Sequence, residues 1–131
     1  MKSKHGSYSL HGRIDVLHLT MEGSLTLDLV QAMRREMDLY WRSRDGRPWA
    51  LYSDLTRFEA MPPEALDAFW ALIAEAVGQG LVAATDIRRA DHFRVTTSER
   101  LERHTRHIKF QVSTDEQEAM RWIAACGLRT D

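Results

Sequence analysis

The alternation of short apolar runs with amphipathic helical periods constrains this chain most, because a segment's hydrophobic period decides whether it buries a face as a strand or as a helix. Tyr8 to Met21 reads as two short strands turning around Gly12 and Arg13, with Ile14, Val16, Leu17 and Leu19 as strand formers. Gly23-Ser24-Leu25-Thr26 punctuates the chain, and Thr26 is placed to cap a helix. Beyond it Val30, Met33, Met37, Tyr40 and Trp41 recur at spacings of three and four, with Arg34, Arg35, Glu36 and Asp38 between them. That pattern gives one buried and one wet helical face. Gly46 and Pro48 end the helix, and Trp49 to Asp54 is an apolar, central type of strand.

Pro62-Pro63 opens the next helix, since proline suits a first helical turn, and Glu64 lies near the positive end of its dipole. Leu66, Phe69, Trp70, Ile73 and Val77 form its apolar stripe, and Gly78 and Gly80 stop it before a strand over Leu81 to Ile87. Arg88 to Thr96 is a polar crossover, Ser98 caps a short helix running through Arg103, and Ile108 to Val112 alternates as a half-exposed strand. Two overlapping capping boxes, Thr114 with Gln117 and Ser113 with Glu116, start a last helix with Met120, Ile123 and Ala124 inward, Trp122 nearby and Gly127 beyond its end. The order ββαβαβαβα predicts an α/β fold: a mixed, mostly parallel β-sheet of about five strands with amphipathic helices and right-handed crossovers. Strand carboxyl ends and helix amino ends then share one edge, where a site belongs.

At 131 residues there is room for one domain, with a core over about 8–127. Such a chain buries roughly two-thirds of its unfolded surface and needs no disulfide or metal to do so. The 18 Lys+Arg against 19 Asp+Glu argue against a nucleic-acid binder, which needs a positive excess. The start MKSKHGSYSL lacks the apolar run of a secretory leader, and no uncharged stretch approaches the ~18 residues of a spanning helix. With one cysteine, Cys126, there is no intramolecular disulfide, and the expectation is a cytoplasmic protein.

Enzyme and cofactor signatures are missing. No Walker loop, GxSxG elbow, HExxH helix or CxxC pair occurs. Gly78-Gln79-Gly80 follows a helix and precedes a strand, the reverse of a phosphate loop. His104 and His107 would share a helix face, but the helix is expected to end between them and no further ligand completes a metal site. His11 and His18 lie on neighbouring strands without further ligands, and Cys126 reads as a packed structural cysteine. Ser53-Asp54 ends a strand with no histidine assigned beside it. We therefore expect no catalytic residue, metal or cofactor.

Charge is unevenly spread. Arg88, Arg89, Arg94, Arg100, Arg103, Arg106 and Lys109 face Asp86, Asp91, Glu99 and Glu102, while Asp54, Glu59, Glu64, Asp67 and Glu75 face only Arg57. The basic stretch reads as a solvated face, with an acidic partner or anionic lipid headgroups as the sharper alternative. Phe69 and Trp70 belong to a helical core stripe. Phe58 and Met61 fall in what reads as a loop, where apolar side chains either plug the core or meet a partner.

Three segments in order carry a resemblance: Gly23-Ser24-Leu25-Thr26, the run Asp54-Leu55-Thr56-Arg57-Phe58-Glu59-Ala60-Met61-Pro62-Pro63-Glu64-Ala65-Leu66, and Phe110 followed by Glu118-Ala119 and Trp122-Ile123. Together they resemble the SpoIIAA-like proteins of the STAS/CRAL-TRIO-like fold, over about Tyr8 to Gly127. The resemblance implies a binding or regulatory module without catalytic residues. Anti-sigma-factor antagonists of this fold carry a phosphorylatable Ser or Thr, preceded by Asp, at the amino end of the helix after the central strand. Here that segment reads Glu59-Ala60-Met61-Pro62-Pro63, with Thr56 the nearest hydroxyl, so a phosphorylation switch is not expected. The expected function is engagement of a protein partner through Thr56, Arg57, Phe58, Glu59, Met61 and Glu64. The alternative, from the lipid-carrier side of the fold group, is a small hydrophobic ligand or lipid. A homodimer through exposed aromatics or the first-strand edge is compatible with either.

Overall fold

The computed structural model describes residues 5–89 and 108–131. The chain opens with a hairpin, β1 (Gly6–Arg13) and β2 (Val16–Ser24), followed by α1 (Leu27–Arg44), β3 (Trp49–Ala60), α2 (Pro63–Gly78), β4 (Leu81–Arg88), β5 (Lys109–Val112) and α3 (Glu116–Ala125). The expected short helix from Ser98 and the His104/His107 pair lie outside the described residues. All five strands form one sheet in sequential order, with β1 antiparallel to β2 and every later pair parallel.

Sequential parallel strands joined by right-handed crossovers put α1 and α2 on the same face. The main core lies there: Leu17, Leu19 and Met21 of β2, Trp49 and Leu51 of β3 and Leu81 of β4 meet Leu29, Met33, Met37 and Trp41 of α1 and Trp70, Leu72 and Ile73 of α2. The opposite face carries a smaller core, in which Ala119 and Ile123 of α3 cover Val16, Ala50, Tyr52 and Ala83. Alternate residues of β2 and of the start of β3 feed the two cores, as the pleat requires, and the register shift between Trp49 and Ala50 moves Leu81 and Ala83 of β4 into different cores.

Local signals account for most element ends. Thr26 caps α1, its hydroxyl accepting from the Leu29 amide at 3.4 Å, and Asp45 in the left-handed region closes it. Pro62 and Pro63 open α2 without a side-chain cap. The α3 cap falls one residue beyond the later of the two expected registers: Asp115 accepts from the Glu118 amide at 2.8 Å, while Glu118 receives the Thr114 amide and hydroxyl. Aspartate wins because its carboxylate also favours the positive helix end. Ala124, expected inward, is exposed.

The hairpin turns at Ile14-Asp15, not at Gly12-Arg13, since Arg13 pairs with Val16. Ile14 takes φ 53°, a strained conformation for a β-branched residue. Tertiary contacts hold it: the Ile14 carbonyl accepts from Tyr40 Oη and from Arg44 Nη1, both at 3.0 Å. Gly12 stays in the strand beneath the Tyr40 ring, which a Cβ would strike at 2.8 Å.

Candidate functional site

β3 is longer than its apolar pattern suggests. It runs on to Ala60 because β2 accompanies it, with Glu22 opposite Arg57, Gly23 opposite Phe58 and Ser24 opposite Ala60. Each of the two register shifts along this stretch adds one residue to β3, as bulges do where a sheet re-aims side chains. Gly23 permits the pairing: at φ 69° its backbone passes so close to β1 that a Cβ would lie 2.4 Å from the His5 carbonyl oxygen. The stretch expected to be a loop is therefore strand, with only Met61 and Pro62 linking it to α2.

That correction divides the expected site residues. Thr56, Arg57, Glu59 and Glu64 are exposed, and Met61 is half-buried. Phe58 is 3% exposed and belongs to the main core. Its neighbours point outward while it points in, so it cannot offer its ring to a macromolecule on the outer surface. Arg57 reaches Glu22 at 3.7 Å across the β2 pairing. Thr56 donates its amide (3.0 Å) and hydroxyl (2.7 Å) to Asp54 Oδ1, a local turn-like bond that holds Asp54 on its own strand. Among the described residues Asp54 contacts no histidine, and no three His, Cys, Asp or Glu residues assemble as a metal-binding group.

Phe58 and Met61 share a cavity of about 320 Å³ between α2 and the carboxyl half of the sheet. Phe69, Trp70, Leu66 and Ile73 line it from α2, and Leu55, Ala84 and Phe110 line it from the strands. Phe69 and Trp70 meet edge to face with ring centres 5.7 Å apart. The volume lies at the lower end of the range for small-molecule sites, and the wall is mostly apolar with a few polar groups, as such sites are.

Sequence reasoning missed those polar groups. Ser53, Asp86 and Arg88 line the same cavity, with Ser53 opposite Asp86 and Leu55 opposite Arg88 in the β3–β4 register. Arg88 donates Nε and Nη2 to the two Asp86 oxygens, each at 3.0 Å. Burial pushes the Asp86 carboxyl above its usual range, and the Arg88 guanidinium pulls it back. Arg88 and Asp86 had been assigned to a polar crossover and a strand end, yet their i, i+2 spacing is the strand signal for a shared face. The neighbouring Arg89 donates to the Phe58 carbonyl at 3.1 Å, bracing the wall. Of the expected basic segment, Asp86, Arg88, Arg89, Ile108 and Lys109 are among the described residues.

The other face offers less. His11 and His18 are directly paired, with ring centres 6.4 Å apart, and His18 packs edge-on to Tyr52 at 5.3 Å. Burial pushes the His18 imidazole below its ordinary range, although Glu116 at 3.8 Å opposes this. Burial and the nearby Asp54 and Glu116 carboxylates push the Tyr52 hydroxyl up to about 12. Thr85 and Ser113 hydroxyls bond at 2.6 Å under α3, closing that layer.

No family model and no curated protein matches this sequence. Solved structures do match in fold. An uncharacterised protein of the DUF3478 family with a SpoIIAA-like fold, from Shewanella loihica PV-4, superposes with a TM-score of 0.74 at 15% identity, covering 93% of this chain and 98% of its own. The anti-sigma factor antagonist SpoIIAA in its unphosphorylated form superposes at 0.61 with 12% identity, covering 90% of this chain and 98% of its own. With its five-stranded mixed sheet, the chain has the SpoIIAA-like, STAS-type fold expected from its motifs.

Proposed function

We propose that this chain is a non-enzymatic binding module that holds a small hydrophobic ligand in the cavity between α2 and the sheet. The observation that carries this reading is the cavity itself: about 320 Å³, walled by Phe58, Met61, Phe69 and Trp70. A concave, mostly apolar pocket of this size with a few polar groups is the usual form of a small-molecule site. Fold likeness supports a STAS-like module, and fold alone does not choose among ligands. Native mass spectrometry of the purified protein tests the reading. Extra mass that disappears on denaturation supports it; apo mass from several hosts, with no uptake of added hydrophobes, overturns it.

A second reading has its own support. The exposed Thr56, Arg57, Glu59 and Glu64 form a polar row along the end of β3 and the start of α2, and its carboxylates suit a basic surface on a protein partner. Phe58 and Met61 then act from beneath, by shaping the row. Reversing the charge at Glu64, which does not line the cavity, would weaken capture of such a partner without altering hydrophobe uptake. On either reading the module works in the cytoplasm without a phosphorylation switch. The amino end of α2 reads Met61-Pro62-Pro63-Glu64, which offers no hydroxyl, and Glu64 would repel an added phosphate. β1 is the edge strand of the described sheet, and a second copy added there would be revealed by the same mass spectrum.

A further inference from the structure

The polar groups in the cavity restrict what can occupy it. Arg88 and Asp86 form a two-bond fork, and their side chains are 14% and 11% exposed. The fork is neutral as a unit. It uses Nε and Nη2, so Arg88 Nη1 keeps its donors without a partner among the described residues. Ser53, 8% exposed and opposite Asp86, likewise has a hydroxyl with no partner among the described residues. The rest of the wall is hydrocarbon or aromatic apart from Glu59, whose side chain is exposed and whose carboxylate further disfavours an anion, and Thr85, whose hydroxyl is bonded to Ser113.

We propose that the cavity selects a neutral amphiphile, an apolar chain or ring with one uncharged hydrogen-bonding head such as an alcohol, ketone or amide, bound through Arg88 Nη1 and Ser53 Oγ. This rests on the hydrophobic-ligand reading above and sharpens it. An ionised head is disfavoured because Asp86 already neutralises Arg88. A carboxylate ligand would place a second anion beside Asp86 in apolar surroundings, and an ammonium ligand would compete with Arg88 for a carboxylate that is already partnered. Either leaves an uncompensated buried charge, which is costly. An uncharged head only exchanges its water hydrogen bonds for those of Ser53 and Arg88, and loses little in the exchange. The apolar body then removes Phe58, Phe69 and Trp70 surface from water.

Octanol and octanoate, of equal chain length, separate the possibilities when each is titrated at neutral pH with Trp70 fluorescence and calorimetry as readouts. Octanol should bind at least about tenfold more tightly than octanoate, the factor that one or two kcal/mol of charge cost sets. Asp86→Asn should invert the preference, because it leaves Arg88 as an unmatched cation in the cavity. A purely structural role for the fork would weaken both ligands alike and leave their ratio unchanged. Ser53→Ala should reduce octanol affinity severalfold and keep the fold. Ala84→Phe, which fills the cavity, should abolish binding of both while far-ultraviolet circular dichroism stays the same. Octanoate binding as tightly as octanol, or an unchanged ratio in Asp86→Asn, overturns the head-group assignment while the cavity reading stands. Failure of octanol, octanoate and octane alike to bind overturns both.

Discussion

The two ends of the sheet treat their polar residues in opposite ways. At the amino end of the parallel strands, Arg44, 7% exposed, donates Nη2 to Asp15 Oδ1 (2.6 Å) and to the Pro48 carbonyl (2.7 Å), and Nη1 to the Ile14 carbonyl (3.0 Å). Asp15 Oδ2 accepts the Arg129 amide at 2.8 Å, so this one carboxylate ties the hairpin turn, the end of α1 and the carboxyl-terminal segment together. At the carboxyl end, Thr56, Arg57, Glu59 and Glu64 are exposed, and Ser53 and Arg88 keep hydrogen-bonding capacity beside a cavity. The contrast teaches where stability is concentrated. The closed end holds a strained Ile14 in place with a network of short bonds that leaves only Arg44 Nε buried and unpartnered among its described groups, whereas the open end carries groups whose bonding suits a visitor.

Mutations at the closed end should break the fold and spare the site. Arg44→Ala leaves the Arg129 amide as the remaining partner of the half-buried Asp15 and frees the strained turn; the expected loss is about 2–3 kcal/mol in a denaturant melt, with octanol affinity of the folded fraction unchanged. A loss below about 1 kcal/mol would mean that the cluster is no more than a surface ion pair.

Phe58→Ala is expected to cost about 3 kcal/mol, the lower end for a core phenylalanine, because the cavity beside it already forfeits some contacts. This differs from what a loop position implies, namely weaker partner capture with an unchanged thermal midpoint. The same melt decides between strand and loop, and ligand titration should show lost affinity as well.

Acid should act on the closed end through Asp15. Burial raises its carboxyl, but the Arg129 amide and Arg44 outweigh burial and hold it below the usual carboxylate range. A folded-state value lower than the unfolded one contributes stability above the unfolded value, and that contribution is lost as pH falls through the folded value. Wild type should therefore lose stability below about pH 4 more steeply than Asp15→Asn, when both are measured by melts across that range. Equal slopes would remove Asp15 from the account of that end.

The smallest stability effect belongs to the outer row. Glu64→Lys changes one exposed side chain in the first turn of α2 and gives up a favourable helix-end interaction of about 0.3–1 kcal/mol, so the melting midpoint should fall by a few degrees at most. Octanol binding should be retained while capture of a basic partner is weakened. A drop in octanol affinity would show that the row and the cavity form one site.

Much of the fold was legible in local pattern. Val30, Met33, Met37 and Trp41 lie buried on α1 as their spacing predicts, and Thr26 and Pro63 stand where the helices begin. The misjudged places share one cause, which is that a distant contact outweighs a local preference. Gly12 is the better turn former, but Tyr40 and Arg44 hold the turn at Ile14-Asp15. Thr56, Arg57 and Phe58 look like a loop, but pairing with β2 keeps them in strand conformation. Asp86 and Arg88 sit at spacing two, a legible sign of a shared face, yet only the strand register brings Ser53 beside them.

By itself, the sequence determined the order of the described elements, the inward faces of α1 and α2 and the lack of any familiar catalytic motif, because periodicity and capping depend on residues within a few positions of one another. Tertiary structure alone decided that Phe58 is wall and not surface, that Asp86 and Arg88 neutralise each other inside an apolar cavity, and that one end of the sheet is locked while the other stays open. Those properties depend on which residues of separate strands and helices meet, and on the volume their packing leaves unfilled, neither of which a local pattern encodes.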